Sequence, residues 1–189
     1  MRPFGCVLIA LLLAPATASS QKTGSRARNW PVPRALDRRG LSAVVGHALS
    51  IPKQGDTIVW MGGGLLGGPG GAFSTRYGID RFGIGPRQYL TLDSLIRTEG
   101  PHPAWKVLDA VWIPPFPDSL VFSEGCAYES QLQTGDMNPD RGIEGIAVSE
   151  EAEFYPKVLF AVTADTLTRR FRLLNPTTLR CVNESWGLP

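Results

Sequence analysis

The segment KVLFAVTADTLTRRFRLLNPTTLRCVN, from Lys157 to Asn183, is the clearest strand-forming part of this sequence. Its three apolar or alternating runs are separated by the turn-like tripeptide TAD and the dipeptide NP. Short runs rich in β-branched and aromatic residues, bounded by turn residues, are typical of β-strands. The segment therefore predicts three successive strands of an antiparallel meander.

Similar strand signals occur upstream. The run TIVWM, Thr57 to Met61, is dense in strand formers, and SLVFSEG follows a proline-rich corner. In AWKVLDAVWI, Ala104 to Ile113, Asp109 interrupts a period-two pattern that places four apolar residues on one side: Trp105, Val107, Val111 and Ile113. This alternation favours an extended segment with one buried face.

Helical signals are few in this sequence, which contains 21 glycines and 16 prolines. The best helix candidates are RALDRRGL at Arg34 to Leu41 and LTLDSLIRT at Leu90 to Thr98, while LSAVVGHALSI at Leu41 to Ile51 fits a strand or a short buried helix. We therefore expect a mainly β protein, an antiparallel sandwich or small barrel with one or two short helices; the alternative is an α+β fold.

The first eighteen residues have the features of a secretory signal. Arg2 precedes an apolar run from Phe4 to Leu13, and Ala16 and Ala18 supply the small residues of a cleavage site. The run is shorter than the roughly 20 residues of a membrane helix, and no later run reaches that length. We expect residues 1–18 to be a cleaved signal peptide, with an uncleaved anchor as the alternative, and the protein to be secreted or periplasmic without a membrane span.

The remaining chain divides into a basic arm and one domain. Residues 19–40 contain six basic residues against Asp37, namely Lys22, Arg26, Arg28, Arg34, Arg38 and Arg39. This composition favours a partly disordered arm, although a contact with an acidic polymer is also open. Residues 41–189 have the size of a single β-rich domain. The formal net charge of +2 gives no reason to expect a nucleic acid partner.

Two cysteines follow the leader, Cys126 and Cys181. An exported protein matures in an oxidising compartment, so we expect these cysteines to form a disulfide. A metal site is the weaker alternative. It would need three or four ligands, and the chain offers only these sulfurs with His47 and His102.

The glycine-rich segment that follows Met61 has the spacing of a dinucleotide-binding turn at Gly62, Gly64 and Gly67. Such a turn must open a helix, yet GGPGG at residues 67–71 occupies the first helical turns. We therefore expect a surface loop at residues 62–71 and no cofactor. The loop could still form an anion nest, with Arg76, Arg81 and Arg87 supplying charge; otherwise these arginines face solvent and stack on neighbouring aromatic rings.

GDMNPDRGIEG, from Gly135 to Gly145, is the candidate metal site. Its alternating oxygen donors could converge on a hard cation such as calcium: Asp136, Asn138, Asp140 and Glu144. The spacing departs from a helix-loop-helix calcium loop, and Asp, Asn and Pro also occur in plain turns. A calcium site and a simple turn therefore both remain open.

Catalytic signals are absent or weak. The chain has neither a G-x-S-x-G elbow nor an H-E-x-x-H motif, and we assign no catalytic residue. His47 and His102 have no visible acid partner. A carboxylate pair is a broader option because four glutamates lie close together in sequence: Glu144, Glu150, Glu151 and Glu153. We expect most of the five tryptophans in the core, with exposed ones able to contact a glycan or a protein.

These observations favour an exported, non-catalytic β-rich module that binds a ligand or has a structural role. Two alternatives stay open. One is an exported hydrolase that uses a carboxylate pair on a glycan or peptide, and the other is a calcium-stabilised binding module. The partner is an unknown protein or glycan.

Overall fold

The computed structural model of this 189-residue protein describes residues 30–49, 57–67, 73–97, 103–133 and 142–187. Within these ranges the strands, numbered along the chain, form three antiparallel sheets. The expectation of a mainly β, sandwich-like protein is confirmed. No sheet closes into a barrel within the described residues.

The first sheet is a four-stranded meander in the order β1-β2-β3-β4. Its strands are β1 (Ile58–Gly67), β2 (Phe73–Ile84), β3 (Arg87–Arg97) and β4 (Ala104–Ile113). The hairpin between β2 and β3 turns at Gly85, whose positive φ of 55° suits glycine. The strand predictions around Thr57 and at Ala104–Ile113 are confirmed.

The second sheet has the order β10-β9-β7-β5. It contains β5 (Leu120–Ser123), β7 (Ile143–Val148), β9 (Val158–Asp165) and β10 (Arg170–Leu173). In the turn between β9 and β10, the Asp165 carboxylate accepts hydrogen bonds of 3.0 Å from the Leu167 and Thr168 amides. Such Asx contacts explain why this polar segment forms a tight hairpin.

The third sheet is small and contains β6 (Cys126–Tyr128), β11 (Leu179–Val182) and β8 (Phe154–Tyr155), in the order β6-β11-β8. The prediction of three meander strands at the C-terminal end is therefore only partly right. β9 and β10 pair, but β11 leaves them, because a 3₁₀ turn at Pro176–Thr178 redirects the chain. This turn and the helix α1 (Glu129–Gln133) are the helical segments within the described ranges.

The main core lies between the first and second sheets. Alternate residues of the first sheet point inwards, and they meet apolar side chains of the second sheet: Ile79, Leu90, Leu92, Val111 and Ile113 against Ile146, Phe160, Val162 and Phe171. LTLDSLIRT, predicted as a helix, is instead most of β3. Its alternation decides the outcome, because Leu90 and Leu92 face this core while Thr91 and Asp93 face the opposite side.

The outer face of the first sheet is covered by residues 37–49. Leu41 packs there with Phe82 and Tyr89, whose rings are 5.3 Å apart. RALDRRGL and LSAVVGHALSI are therefore neither helix nor strand over the residues described, which form turns. Their backbone groups instead form hydrogen bonds along the edge of β4. The Trp112 amide donates to the Asp37 carbonyl oxygen, and the Gly46 amide donates to the Val107 carbonyl oxygen, each over 2.8 Å. This covering protects an edge that would otherwise expose unpaired backbone groups.

A β-bulge in β4 changes the face on which its side chains lie. Leu92 pairs with Asp109, but the next residue, Asp93, pairs with Val107. The predicted single apolar side is therefore wrong, because Val107 packs in the outer cluster while Val111 packs in the main core. One extra residue in a strand reverses the alternation beyond it.

Asp109, the residue that interrupts the apolar pattern, joins three parts of the molecule. Its carboxylate accepts hydrogen bonds from Arg38 Nε and Nη2 at 3.0 and 2.8 Å, and from the backbone amide of Phe171 at 2.8 Å. The Ala110 amide adds a fourth at 3.0 Å. The buried carboxylate is therefore fully paired, and it links the outer segment, β4 and β10.

Cys126 and Cys181 form a disulfide, with an S–S distance of 1.99 Å, between directly paired residues of β6 and β11. The predicted pairing is confirmed. Gly145 of β7 lies against these sulfur atoms: a Cβ at this position would stand 2.6 Å from Cys181 Sγ and 2.8 Å from Cys126 Sγ. The third sheet therefore packs on β7 through a contact that only glycine permits.

Gly145→Ala is expected to destabilise the oxidised protein by about 1–3 kcal/mol, because the added methyl group overlaps the disulfide and its neighbours are closely packed. The measurement is the free energy of unfolding from urea denaturation. Gly64→Ala is the matched control, since a Cβ there meets nothing within 4 Å, and it should change stability by no more than about 0.5 kcal/mol. Equal effects of the two substitutions would contradict the packing argument.

Candidate functional site

A cavity of about 320 Å³ lies between the first and second sheets near β1; we name it the inner cavity. Its apolar walls come from both sheets and from β11: Leu65, Ile79, Leu90, Phe122 and Val182. Four ionisable side chains also line it: Arg81, Glu124, Glu144 and Glu184. An apolar cavity with a few convergent polar groups is the usual form of a small-molecule site.

Each charged group reaches the inner cavity for a local reason. Arg81 follows Ile79 at period two on the inner face of β2, and Glu144 has the same relation to Ile146 on β7. Glu124 lies in the bend between β5 and β6, and Glu184 lies in the turn after β11. Strand alternation therefore places Glu144 and Arg81 inside the sandwich, and two loops contribute Glu124 and Glu184 to the same cavity.

Arg81 is held by the wall of the inner cavity. Its Nη2 atom lies 3.1 Å from Glu124 Oε1, and its guanidinium carbon lies 4.6 Å from the centroid of the Phe122 ring. The side chain is only 18% exposed. Its Nε atom is buried and has no hydrogen-bond partner among the described residues. The cavity thus contains an ordered cation with unused donor capacity.

Glu144 is the most buried charged group of the inner cavity. The residue is 4% exposed, and its Oε2 atom has no hydrogen-bond partner within the described part of the chain. Burial raises the pKa of Glu144 well above its ordinary value, and the charges of Glu124 and Glu184 raise it further. Arg81 opposes this shift but does not cancel it. Burial therefore favours the protonated form of Glu144.

The pKa of Glu124 is also raised, chiefly by burial, although the Arg81 charge lowers it. Because Glu124 has an ion-pair partner and Glu144 has none among the described residues, the two acids have different environments in one cavity. Pairs of carboxyl groups with divergent proton affinities occur in both binding and catalytic sites.

A second pocket of about 300 Å³ lies on the other side of β1; we name it the outer pocket. Its walls are Trp60, Trp105, Leu49 and Pro103, and Asp80 supplies its one ionisable group among the described residues. Glycines of β1 and β2 form the floor: Gly63, Gly64 and Gly78. The two pockets therefore share the glycine-rich part of β1 as a wall.

Asp80 is part of a buried carboxyl pair. Trp60 Nε1 donates to Asp80 Oδ1 over 2.8 Å, and Thr91 Oγ1 donates to Asp93 Oδ2 over 2.7 Å. Asp93 is fully buried, and burial raises its pKa to about 8 while the neighbouring Asp80 charge adds to the shift. Asp93 Oδ1 is buried and has no hydrogen-bond partner among the described residues. The buried Asp93 is the protonated member at neutral pH.

The predicted glycine loop is wrong over residues 62–67, which belong to β1, while residues 68–71 lie outside the described ranges. Gly63 shows why glycine suits this strand: a Cβ there would overlap the Asp80 carboxyl group and lie 2.6 Å from the Ile79 carbonyl oxygen. Glycine thus allows Asp80 to lie across β1. The arginines assigned to an anion nest diverge, because Arg81 faces the inner cavity and Arg87 stacks 3.8 Å from the Trp112 ring.

The calcium site stays a prediction, since Asp136, Asn138 and Asp140 lie outside the described residues. Glu144, the fourth predicted ligand, lies in β7 and faces the inner cavity. Within the described ranges, no group of three or more His, Cys, Asp or Glu residues is placed to hold a metal ion. His47 is exposed, and His102 lies outside the described residues.

The glutamates that lie close together in sequence are, except for Glu144, not the ones that line the inner cavity. Glu150, Glu151 and Glu153 are exposed, and Glu144 instead meets Glu124 and Glu184 from distant parts of the chain. The tryptophan expectation is also corrected, because no tryptophan in the described residues is fully buried, and Trp60 and Trp186 are 46% and 50% exposed. The missed signal was a glutamate at an inward position of β7, between apolar residues.

Asn183 begins the sequon Asn-Glu-Ser but is a structural residue. It is 8% exposed, its Oδ1 atom accepts from Tyr155 Oη over 2.8 Å, and its Nδ2 atom donates to the Ala152 carbonyl over 2.9 Å. Both ends of the amide are therefore engaged, and the folded protein does not present this nitrogen for glycosylation.

Compared with models of protein families, with curated proteins and with solved structures, the chain shows no significant match. Among the described residues, no helix has the length and apolar character needed to cross a bilayer. The disulfide is compatible with an extracellular location. A functional assignment must therefore come from the geometry of the two pockets.

Asp93→Asn is expected to remove part of the pH dependence of stability. The pKa of Asp93 rises from an ordinary 3.8 to about 8 on folding, so the unfolded chain loses this proton first as the pH increases. The free energy of unfolding of the wild-type protein therefore falls between about pH 4 and pH 8. Asparagine imitates the neutral acid, and the variant should be more stable than wild type at pH 8 by on the order of 1–3 kcal/mol.

The measurement is urea denaturation from pH 4.5 to 8.5. Asp118→Asn, which changes an exposed acid, is the control for the loss of one charge. A remaining slope of the same sign is expected from Glu144, whose pKa is raised for the same reason. If Asp93→Asn and wild type had parallel pH profiles, the buried, protonated state of Asp93 would be refuted.

Proposed function

We propose that the protein is an exported β-rich binding module whose inner cavity takes a small organic cation. The observation that carries the proposal is Glu144 Oε2, an acid oxygen that is buried in the cavity without a partner in the described residues. An unpaired buried polar atom costs about 1–3 kcal/mol. A ligand that donates a hydrogen bond to this oxygen recovers that cost, so the site is prepared for a donor.

The charge of the inner cavity favours a cationic donor. Three carboxyl groups, from Glu124, Glu144 and Glu184, line it against the single guanidinium of Arg81. An ammonium or guanidinium group beside Glu144 would lower the pKa of this acid and convert it to a carboxylate. The resulting charge-assisted hydrogen bonds are stronger than neutral ones, particularly in a buried setting.

The remaining surface favours an organic ligand with an apolar body over a bare metal ion. Leu65, Leu90 and Phe122 offer contact area beyond the charged groups. The volume of about 320 Å³ suits a small molecule at the lower end of the usual range of ligand sites. The described acids do not form a metal-ligand cluster. An aryl-alkyl amine combines the required charge, donors and apolar area.

Export is part of the proposal. It is supported by the signal-like residues 1–18 and by the Cys126–Cys181 disulfide, which is of a kind that persists in oxidising compartments. Extracellular and periplasmic binding modules meet diffusible small cations directly. The leader itself lies outside the described residues.

The binding test uses isothermal titration calorimetry with phenethylamine as the probe. Phenethyl alcohol and phenylpropionate, which have similar size but no positive charge, are the comparison ligands. We expect the amine to bind most tightly, the alcohol more weakly and the acid least, because the cavity is rich in carboxyl groups. Glu144→Gln should weaken amine binding by at least about tenfold, equivalent to 1.4 kcal/mol.

Glu150→Gln is the matched control, because this exposed glutamate lies outside the inner cavity. It should leave the amine affinity unchanged. Glu144→Gln should remain folded and is expected to gain stability at neutral pH, since the amide removes the cost of ionising a buried acid. Equal affinities for amine and alcohol, or an unchanged affinity in Glu144→Gln, would disprove the cation site.

A hydrolase is the second candidate, favoured by the divergent environments of Glu144 and Glu124 in one cavity. A protonated Glu144 could serve as general acid and an ionised Glu124 as general base on a glycosidic bond. The test is release of nitrophenol from aryl glycosides by wild type, Glu144→Gln and Glu124→Gln. Activity lost in both variants would support this candidate, and no release by the wild-type protein would remove it for these substrates.

A further inference from the structure

We propose that the outer pocket is a second binding site, which takes one pyranose ring of a neutral glycan. The pocket lies on the opposite face of β1 from the inner cavity, so this site does not depend on the proposed cation site. Its volume of about 300 Å³ accommodates a single sugar ring with its hydroxyl groups. Three features of the pocket carry the inference: its floor, its aromatic walls and its carboxyl group.

The floor is flat because it lacks side chains. Gly63, Gly64 and Gly78 lie side by side on β1 and β2, where Gly64 pairs with Ile79 and Leu65 pairs with Gly78. A Cβ at Gly78 would stand 3.7 Å from Trp105 Cζ3, so the indole of Trp105 lies over this glycine. A flat ligand can therefore approach the backbone of the sheet next to an aromatic ring.

The walls present two indoles. Trp60 is 46% exposed although it is held by a hydrogen bond, because its Nε1 atom donates to Asp80 over 2.8 Å. This bond fixes the ring and uses its single polar group, which leaves its apolar surface available. The axial C–H groups of a pyranose are complementary to the electron-rich faces of such rings.

The carboxyl group favours a neutral ligand with hydroxyl groups. Asp80 is the one ionisable residue among the described residues that line the pocket, and it already accepts a hydrogen bond from Trp60. This donor offsets part of its charge, and the outer pocket has one carboxyl group where the inner cavity has three, so the attraction for a cation is weaker. The oxygen atoms of Asp80 retain lone pairs that can accept from sugar hydroxyl groups.

The test measures binding of cellohexaose, maltohexaose and hexa-N-acetylchitohexaose by calorimetry and tryptophan fluorescence. At least one of these neutral probes should bind with a Kd of about 1 mM or tighter. Trp60→Ala and Trp105→Ala should each weaken that binding by at least about tenfold. Trp60→Phe should retain more affinity than Trp60→Ala, because it keeps an aromatic face without the indole N–H.

Trp186→Ala is the matched control, since Trp186 is exposed to a similar extent but lies outside the outer pocket. It should leave the sugar affinity unchanged. Thermal melts and far-ultraviolet circular dichroism establish that each variant is folded. The proposal is overturned if none of the three probes binds, if binding survives in both Trp60→Ala and Trp105→Ala, or if tetramethylammonium binds through these tryptophans more tightly than the sugars do.

Discussion

The paired carboxylate of Asp109 is the constraint on which the arrangement of the sheets depends. It fixes β4 against β10 through the Phe171 amide and fixes the outer segment through Arg38. β4 contacts β10, while residues of β1 and β5 together line the inner cavity. The sheets are thus joined at one edge by a partly buried ion pair, and the inner cavity lies near the other edge. Loss of the Arg38 partner would leave a buried charge, a change that is strongly destabilising in general.

The three buried acids among the described residues differ in how their oxygen atoms are paired. Asp109 accepts four hydrogen bonds, whereas neither Asp93 Oδ1 nor Glu144 Oε2 has a partner among the described residues. The pairing of Asp109 stabilises the fold, while burial favours the protonated forms of Asp93 and Glu144. Of these last two acids, Glu144 is the one that lines the inner cavity. Burial alone therefore does not identify a site; the position of the unpartnered oxygen does.

Some strands were predictable from sequence because their signals are local, whereas most of β3 was predicted as a helix and part of β1 as a loop. Alternation at Ala104–Ile113 and the turn residues around Asp165 act within a few positions. The partner of β11 was not predictable, since pairing with β6 depends on contacts distant in sequence. The inner cavity was missed for the same reason, because its acids come from β7 and two separate loops. The glycines misled the prediction, since their role is to admit Asp80 across a strand rather than to form a loop.

The position of Gly145 connects the disulfide to the inner cavity. β7 presents Gly145 to the sulfur atoms on one face and Glu144 to the inner cavity on the other. The strand that carries the key acid is therefore backed by a cross-link that forms only under oxidising conditions. Reduction of the disulfide would remove this backing from the strand that positions Glu144. The order of the inner cavity is therefore coupled to the redox state of two cysteines that do not line it.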